Sequence, residues 1–292
     1  MDFLRPSTLE EALAAKSGRP AGVPIMGGTD VMVELNFDKR RPEALIDLTR
    51  IAELREWTFE GDAVRLGAGV PYTRIIDELS AHAPALAQAS RSVASPQIRN
   101  RGTVGGNLGG ASPAGECHAP LLATDAVIEL ASVRGVRRVP ARGFYLGLRR
   151  TARQDDELIT AVLLPRPAGP QRFSKIGTRN AMVIAVANFA LALNAEKRTV
   201  GTGLGSVAPT PVRAEEAEEF LAAEFDWDGG TPPAEPVVRR FGELVASVAR
   251  PIDDQRGSAE YRRHAAGVMA RRALGWSAAE YRDDLRGDTR CA

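Results

Sequence analysis

The spacing of apolar and polar residues in the first half of the chain predicts short strands alternating with short helices. Apolar runs at 23–26 and 44–48 have the length of buried strands, and the segment between them, 31–35, has helical character. A strand, a helix and a second strand in close succession predict a compact βαβ unit. The same pattern predicts strands at 64–68, 127–130, 137–139 and 158–164, and helices at 71–79, 86–93 and 121–123.

A proline-rich segment at 165–170 divides the chain in two, because proline interrupts both helices and strand ladders. Beyond it, apolar runs predict three strands of a small sheet at 173–176, 183–193 and 199–207. Helices are predicted at 213–221, at 237–248 and from 258 onward. We expect the last helix to present one apolar face, made of Tyr261, Ala265, Val268, Met269 and Trp276.

Composition narrows the functional classes. The chain has 292 residues, 44% of them hydrophobic, which is enough for one large core or two modest ones. Its 38 basic and 37 acidic residues give a net charge of +1, so nucleic-acid binding is not indicated. The sequence contains no apolar run long enough to predict a membrane span. The two cysteines, Cys117 and Cys291, argue against a disulfide framework, favour a cytoplasmic location and are too few for a four-cysteine iron–sulfur cluster.

Two glycine-rich segments carry the candidate chemistry. Residues 101–116 contain six glycines interleaved with Thr103, Asn107 and Ser112, and Gly27-Gly28-Thr29-Asp30 directly follows a predicted strand. Glycine lets the backbone approach a ligand closely, and successive N–H groups in a loop suit phosphate oxygens. We therefore expect two loops that offer N–H groups to an anionic ligand. For either segment alone, a plain surface loop is the alternative.

Two weaker signals have simpler explanations. The glycine-x-glycine segment at 201–205 is best explained as a strand, because Pro209 and Pro211 prevent the helix that follows a nucleotide-binding loop. Cys117 and His118 are adjacent but lack a second group of ligands, so a metal site is weakly indicated. We expect instead a partly buried thiol beside the glycine-rich loop.

The order and flanks of the two glycine segments resemble a known family. Gly-Gly-Thr-Asp at 27–30, then Thr-Val-Gly-Gly-Asn at 103–107 and Ala-Ser-Pro-Ala-Gly-Glu at 111–116, are similar to the FAD-binding medium subunits of the molybdenum hydroxylases. That family includes xanthine dehydrogenase, carbon monoxide dehydrogenase and aldehyde oxidase relatives. The resemblance runs from Phe3 to His264 and therefore covers nearly the whole chain.

The resemblance implies an α+β fold of two domains. Residues 1–170 would form an FAD-binding domain of the para-cresol-methylhydroxylase type, with subdomains at about 1–55 and 56–170. Residues 171–285 would form the C-terminal domain of these flavoproteins, with a three-stranded antiparallel sheet and a helix bundle. Residues 286–292 would be a tail.

The resemblance also implies a cofactor and its site. One FAD would be bound non-covalently, with its pyrophosphate shared between the two glycine segments. Ile159 and Lys175 match positions beside the flavin ring, and Glu116 stands where relatives more often carry Asp. The implied FAD-binding residues are Met26, Gly27, Gly28, Thr29, Asp30, Thr103, Val104, Gly105, Gly106, Asn107, Ser112, Glu116, Ile159 and Lys175.

The implied function is electron transfer inside a larger assembly, a heterohexamer. A molybdopterin large subunit would oxidise the substrate, a [2Fe–2S] small subunit would relay electrons, and FAD would pass them to NAD or another acceptor. The flavin would carry the chemistry, so we expect no catalytic side chain and no metal ligand in this chain. The alternatives are a self-contained flavin oxidase or dehydrogenase of the same fold, disfavoured by the short C-terminal part, and a binding protein that has lost its flavin, disfavoured by the intact glycines.

Overall fold

A small parallel sheet with two helices forms the N-terminal part of the molecule. A computed structural model describes residues 1–287, so most of the predicted tail and Cys291 lie outside the described residues. The first elements are β1 (Asp2–Leu4), α1 (Leu9–Gly18), β2 (Val23–Ile25), α2 (Val31–Asn36) and β3 (Ala44–Asp47). The three strands are parallel in the order β1-β3-β2, which confirms the predicted βαβ unit.

A five-stranded antiparallel sheet forms the middle of the molecule. Its region contains β4 (Trp57–Glu60), β5 (Ala63–Gly67), α3 (Tyr72–Glu78), α4 (Pro84–Ser92), α5 (Pro96–Arg99), α6 (Val104–Gly110), α7 (His118–Ala123), β6 (Val127–Ser132), β7 (Gly135–Pro140), β8 (Tyr145–Gly147), β9 (Arg150–Thr151) and β10 (Leu158–Pro165). The strand order is β4-β5-β10-β6-β7, and β8 and β9 form a separate hairpin. Helix residues such as Ile75 and Leu108 share a buried core with strand residues such as Leu66 and Val162.

A second antiparallel sheet, with three helices, forms the C-terminal part. Its elements are β11 (Gln171–Ile176), β12 (Ala187–Asn194), β13 (Thr199–Gly205), α8 (Glu215–Glu224), α9 (Glu235–Ser247) and α10 (Ala259–Leu285). The three strands form an antiparallel sheet, as predicted, and lie in the order β11-β12-β13. Phe189, Leu191 and Leu204 lie in one buried cluster with residues of the three helices.

The buried face of α10 differs from the predicted one. Ala265 and Met269 are buried as expected, but Tyr261 and Trp276 are 48% and 52% exposed. Arg262 is buried instead. Its guanidinium donates to the Ser206 carbonyl at 2.8 Å and forms a salt bridge with Asp254, and these partners offset the cost of burying its charge. Neither α10 nor any other helix within residues 1–287 is long and apolar enough to cross a membrane.

The C-terminal sheet is seated directly on α7. A Cβ on Gly201 would lie 1.9 Å from the Ala123 carbonyl oxygen, and a Cβ on Gly203 would lie 2.0 Å from the Ala119 carbonyl oxygen. The glycine-x-glycine segment at 201–205 is therefore a strand, as predicted. Its glycines let the backbone of β13 contact the backbone of α7. Since α7 follows the loop 111–117, this contact fixes the end of that loop.

Candidate functional site

The turn between β2 and α2, residues 26–30, presents a run of unused backbone amides. Gly27 lies against the chain of the second glycine segment, because a Cβ there would be 2.0 Å from the Arg101 carbonyl oxygen. Gly28 has φ +76°, a conformation that favours glycine. In the described chain, the N–H groups of residues 27–30 donate to no protein acceptor. Successive free amides in a tight turn form a concave site for anions.

The second glycine segment is a helix, and the prediction of a loop there was wrong. Thr103 caps α6, since its Oγ1 accepts from the Gly106 N–H at 3.0 Å. The Gly105 N–H donates to the Ala68 carbonyl at 3.0 Å. Capping and tertiary packing thus outweigh the low helix propensity of glycine. The N–H groups of Gly105 and Gly106 are therefore hydrogen-bonded within the protein. Contrary to the expectation, they are not available to a ligand.

One face of α6 is bare backbone. Gly106, Gly109 and Gly110 are exposed, and the spacings of three and four residues place them on the same side of the helix. A Cβ on Gly109 would meet only Ile159 Cδ1 at 4.0 Å, and a Cβ on Gly110 would meet only Asp30 Oδ2 at 3.7 Å. The bare face therefore lies between the 26–30 turn and β10, with room for a flat ligand to contact the helix closely.

Asp30 connects the turn to this bare face. Burial and the neighbouring Glu34 carboxylate raise the pKa of Asp30, while Arg149 opposes the rise. No hydrogen-bond or salt-bridge partner of its carboxyl group is found among residues 1–287. A carboxyl group in this position is available to a ligand hydroxyl.

Two of the predicted site residues, Lys175 and Glu116, form an ion pair with each other. The Lys175 ammonium lies 2.7 Å from Glu116 Oε1 and also donates to the Ser92 carbonyl at 2.8 Å. The side chains of Lys175 and Glu116 are only 9% and 11% exposed. The structure therefore joins two residues that the sequence assigned to the site separately. Ser112 is used locally, because its hydroxyl and carbonyl accept hydrogen bonds from the following turn.

A buried polar cluster supports the loop from behind, and sequence reasoning missed it. His118 Nε2 and Asn107 Oδ1 are buried without hydrogen-bond partners among the described residues, and both lie against Gly115. The Tyr145 hydroxyl lies 2.9 Å from His118 Nδ1. Burial lowers the pKa of His118 to about 4. Nothing in the sequence links Tyr145 to His118, which lies 27 residues away.

Several predicted site residues serve the core more than a ligand. The Val104 side chain is fully buried, and the Met26 side chain covers Gly69. Cys117 is fully buried rather than partly buried as expected, and burial raises the pKa of its thiol. Buried thiols of this kind are poor nucleophiles. The turn residues, the face of α6, Ile159 and the Glu116–Lys175 pair remain as the surface that could hold a cofactor.

Family comparisons cover nearly the whole chain. Residues 1–167 match the FAD binding domain in molybdopterin dehydrogenase, and residues 172–277 match the CO dehydrogenase flavoprotein C-terminal domain. The carbon monoxide dehydrogenase medium chain of Afipia carboxidovorans is 34% identical over 284 residues, covering 94% of this chain and 95% of that protein. The xanthine dehydrogenase FAD-binding subunit of Escherichia coli O157:H7 is 30% identical over 282 residues, covering 93% and 94%.

Solved structures show the same architecture. A chain of reconstituted CO dehydrogenase from Oligotropha carboxidovorans superimposes with a TM-score of 0.88 at 31% identity, covering 96% of this chain and 98% of that one. A chain of quinoline 2-oxidoreductase from Pseudomonas putida 86 gives a TM-score of 0.88 at 26% identity, covering 97% and 98%. The α+β fold that the sequence predicted is thereby confirmed.

Proposed function

Because this chain belongs to the FAD-binding medium subunits of the molybdenum hydroxylase family, we propose that its FAD lies between the 26–30 turn and the bare face of α6. The family members are dehydrogenase subunits, and their cofactor is FAD.

The four free amides of residues 27–30 are the observation that supports this site best. The pyrophosphate of FAD carries two negative charges, and such a turn can bind them without a dedicated Arg or Lys. The Thr29 hydroxyl is a further donor within the same turn. The bare face formed by Gly106, Gly109 and Gly110 then admits the rest of the cofactor at backbone distance.

The Glu116–Lys175 pair and Ile159 are proposed to lie beside the flavin ring. When bound, FAD supplies the redox chemistry, and the chain supplies position and charge. Because Lys175 is paired with Glu116 at 2.7 Å, the pair contributes little net charge to the ring. Ile159 lies against Gly109 and contributes an apolar wall. Thr103, Val104 and Gly105 would hold α6 in position rather than contact the cofactor. With them, the proposed set is the one implied by the sequence: Met26, Gly27, Gly28, Thr29, Asp30, Thr103, Val104, Gly105, Gly106, Asn107, Ser112, Glu116, Ile159 and Lys175.

We propose further that the chain works in a cytoplasmic heterohexamer. A [2Fe–2S] small subunit would deliver electrons that a molybdopterin large subunit takes from the substrate, and NAD or another acceptor would receive them. The names of relatives as medium chains and FAD-binding subunits support the part of this proposal that places the chain in a multi-subunit enzyme. We also propose that the chain divides into two domains. An FAD domain would span 1–170, with subdomains at about 1–55 and 56–170, and a C-terminal domain would span 171–285.

Release of the flavin tests the site. We expect the purified chain to carry one FAD that heat or acid denaturation sets free, identified by chromatography. FMN lacks the pyrophosphate and should not replace FAD in the apoprotein. Flavin that stays attached to the denatured chain would contradict the non-covalent assignment, and equally tight binding of FMN would contradict the role of the 27–30 amides.

A further inference from the structure

Helix α2 is apolar, yet it buries none of its residues. Met32 and Val33 are 45% and 48% exposed, and Phe37, just after the helix, is 72% exposed. Helix α7 has the same length of 6 residues, and all of them are buried. A helix this short gains its stability from packing of an apolar face, so an apolar helix in water is an unusual element.

The β8–β9 hairpin extends this apolar surface. Leu146 lies in β8 and is 59% exposed, and Leu148 lies in the turn between β8 and β9 and is 63% exposed. The next residue, Arg149, lies 3.7 Å from Glu34 of α2, so the hairpin turn and the helix are neighbours. We refer to Met32, Val33, Phe37, Leu146 and Leu148 together as the α2 patch.

Basic residues surround the α2 patch. Segments 31–41 and 145–151 contain five basic and two acidic residues, a net charge of +3 in a chain whose total is +1. The Lys39 ammonium lies 5.8 Å from the centre of the Phe37 ring. In the range that the structure describes, neither Lys39 nor Arg150 forms a salt bridge. The patch thus combines an apolar centre with unneutralised positive charge.

The surface also adjoins the proposed cofactor site. Helix α2 begins directly after Asp30, whose carboxylate lies against the bare face of α6 at Gly110. A protein seated on the α2 patch would be next to any cofactor in that site. A second copy of this chain fits poorly, because two faces of the same +3 charge would repel each other.

We propose that the α2 patch is the docking face for the iron–sulfur partner subunit, through a surface with an apolar centre and an acidic rim. This inference rests on the proposed function, in which such a subunit exchanges electrons with this chain. The apolar centre supplies most of the affinity, and the basic rim steers association and makes it sensitive to salt.

Co-expression of the full chain with the iron–sulfur and molybdopterin subunits encoded in its own genome tests the proposal. We expect the double variant Val33→Asp/Phe37→Asp to bind the iron–sulfur subunit at least about tenfold more weakly than wild type, as for loss of a central interface residue. The matched control, Val136→Asp/Ile252→Asp, replaces two other exposed apolar residues and should assemble normally. The FAD content of all three proteins should be equal, which shows that the chain is folded.

Charge reversal supplies the second arm. Lys39→Glu/Arg150→Glu should weaken association and flatten its dependence on NaCl concentration. Normal assembly of Val33→Asp/Phe37→Asp would overturn the docking proposal and leave the proposed function intact. Failure of the wild-type chain to assemble with either subunit would overturn both. A third outcome is that Val33→Asp/Phe37→Asp assembles normally but, unlike wild type, does not bind phosphatidylcholine vesicles containing phosphatidylglycerol. In that case the α2 patch is a membrane-binding surface, and the docking proposal is wrong.

Discussion

Three glycines of α6 matter because of the side chains they lack. Gly106, Gly109 and Gly110 lie in helical backbone, and none is among the residues with positive φ. Their value is therefore steric rather than conformational: they leave one side of the helix open to a ligand. A larger residue at Gly109 or Gly110 would fill the proposed site without straining the fold.

Gly109→Val should separate cofactor binding from stability. A Cβ at this position meets nothing closer than 4.0 Å, so we expect the thermal midpoint of the apoprotein to change little. FAD affinity should fall by about a hundredfold, or about 2.7 kcal/mol, because the valine methyls occupy the cofactor's place. Gly275→Val, at an open and exposed position of α10, is the control and should keep its FAD. Full retention of FAD by Gly109→Val would move the site away from α6.

His118 should make the stability of the chain depend on pH. Burial lowers its pKa from the ordinary 6.5 to about 4. Between pH 6.5 and pH 4, the His118 side chain is therefore protonated in the unfolded chain but neutral in the folded chain. Stability is complete above pH 6.5 and is lost as the pH falls toward 4, by about 2 kcal/mol at pH 5. Urea unfolding at pH 7.5 and pH 5 should show a smaller loss for His118→Gln than for wild type. The same change at the exposed His264 is the control, and equal losses in all three proteins would refute the assignment.

At the scale of elements, the contact between β13 and α7 joins the two halves of the molecule. Backbone meets backbone there, since the carbonyls of Ala119 and Ala123 occupy the space where Gly203 and Gly201 would carry side chains. The Ser206 N–H also donates to the Pro113 carbonyl at 2.7 Å, which ties the end of β13 to the loop before α7.

Gly201→Ala should therefore destabilise the protein although Gly201 is not part of the proposed cofactor site. The added methyl would sit 1.9 Å from the Ala123 carbonyl oxygen, so strand and helix must separate. Overpacking of this kind costs about 1–3 kcal/mol, measurable as a lower urea midpoint. Gly275→Ala, in an open helical position, should be neutral or slightly stabilising. An unchanged midpoint for Gly201→Ala would mean that the contact is looser than described.

The elements were easier to predict from the sequence than the site. The βαβ unit and the three C-terminal strands follow from apolar runs bounded by turn residues, and these are local signals. The cap at Thr103 was the one local signal of the helix in the second glycine segment. This helix was missed because glycine has a low helix propensity and the packing on Ala68 that offsets it depends on tertiary structure. The buried position of Arg262 was missed for the same reason, since its partners lie in other segments.

At the scale of the whole molecule, the pairing of Glu116 with Lys175 makes the proposed site depend on both halves. Glu116 belongs to the loop before α7, and Lys175 belongs to β11 of the C-terminal sheet. Each residue is recognisable in the sequence by family resemblance, but their 2.7 Å contact could not be predicted from it. A site built across two sheets requires both to be folded.

The isolated chain should be unable to oxidise a substrate. Its two cysteines are too few for an iron–sulfur cluster, so electrons from a molybdenum centre cannot reach its flavin without a partner. We expect dithionite to bleach the flavin absorbance of the isolated chain, whereas purines, aldehydes and carbon monoxide leave it unchanged. The same compounds, tested on the co-expressed complex, should include one that reduces the flavin. Substrate oxidation by the isolated chain would instead favour a self-contained flavin oxidase.

The exposed helix α2 has a consequence for the supply of this protein in the cell. If the α2 patch is the docking face, a newly made copy carries Phe37 and its apolar neighbours in water until the partner subunit covers them. Surfaces of this kind promote self-association and attract chaperones and proteases. Copies made in excess would be removed first, so matched synthesis of the subunits, as from one transcript, would set the amount of this chain more than its own folding stability does.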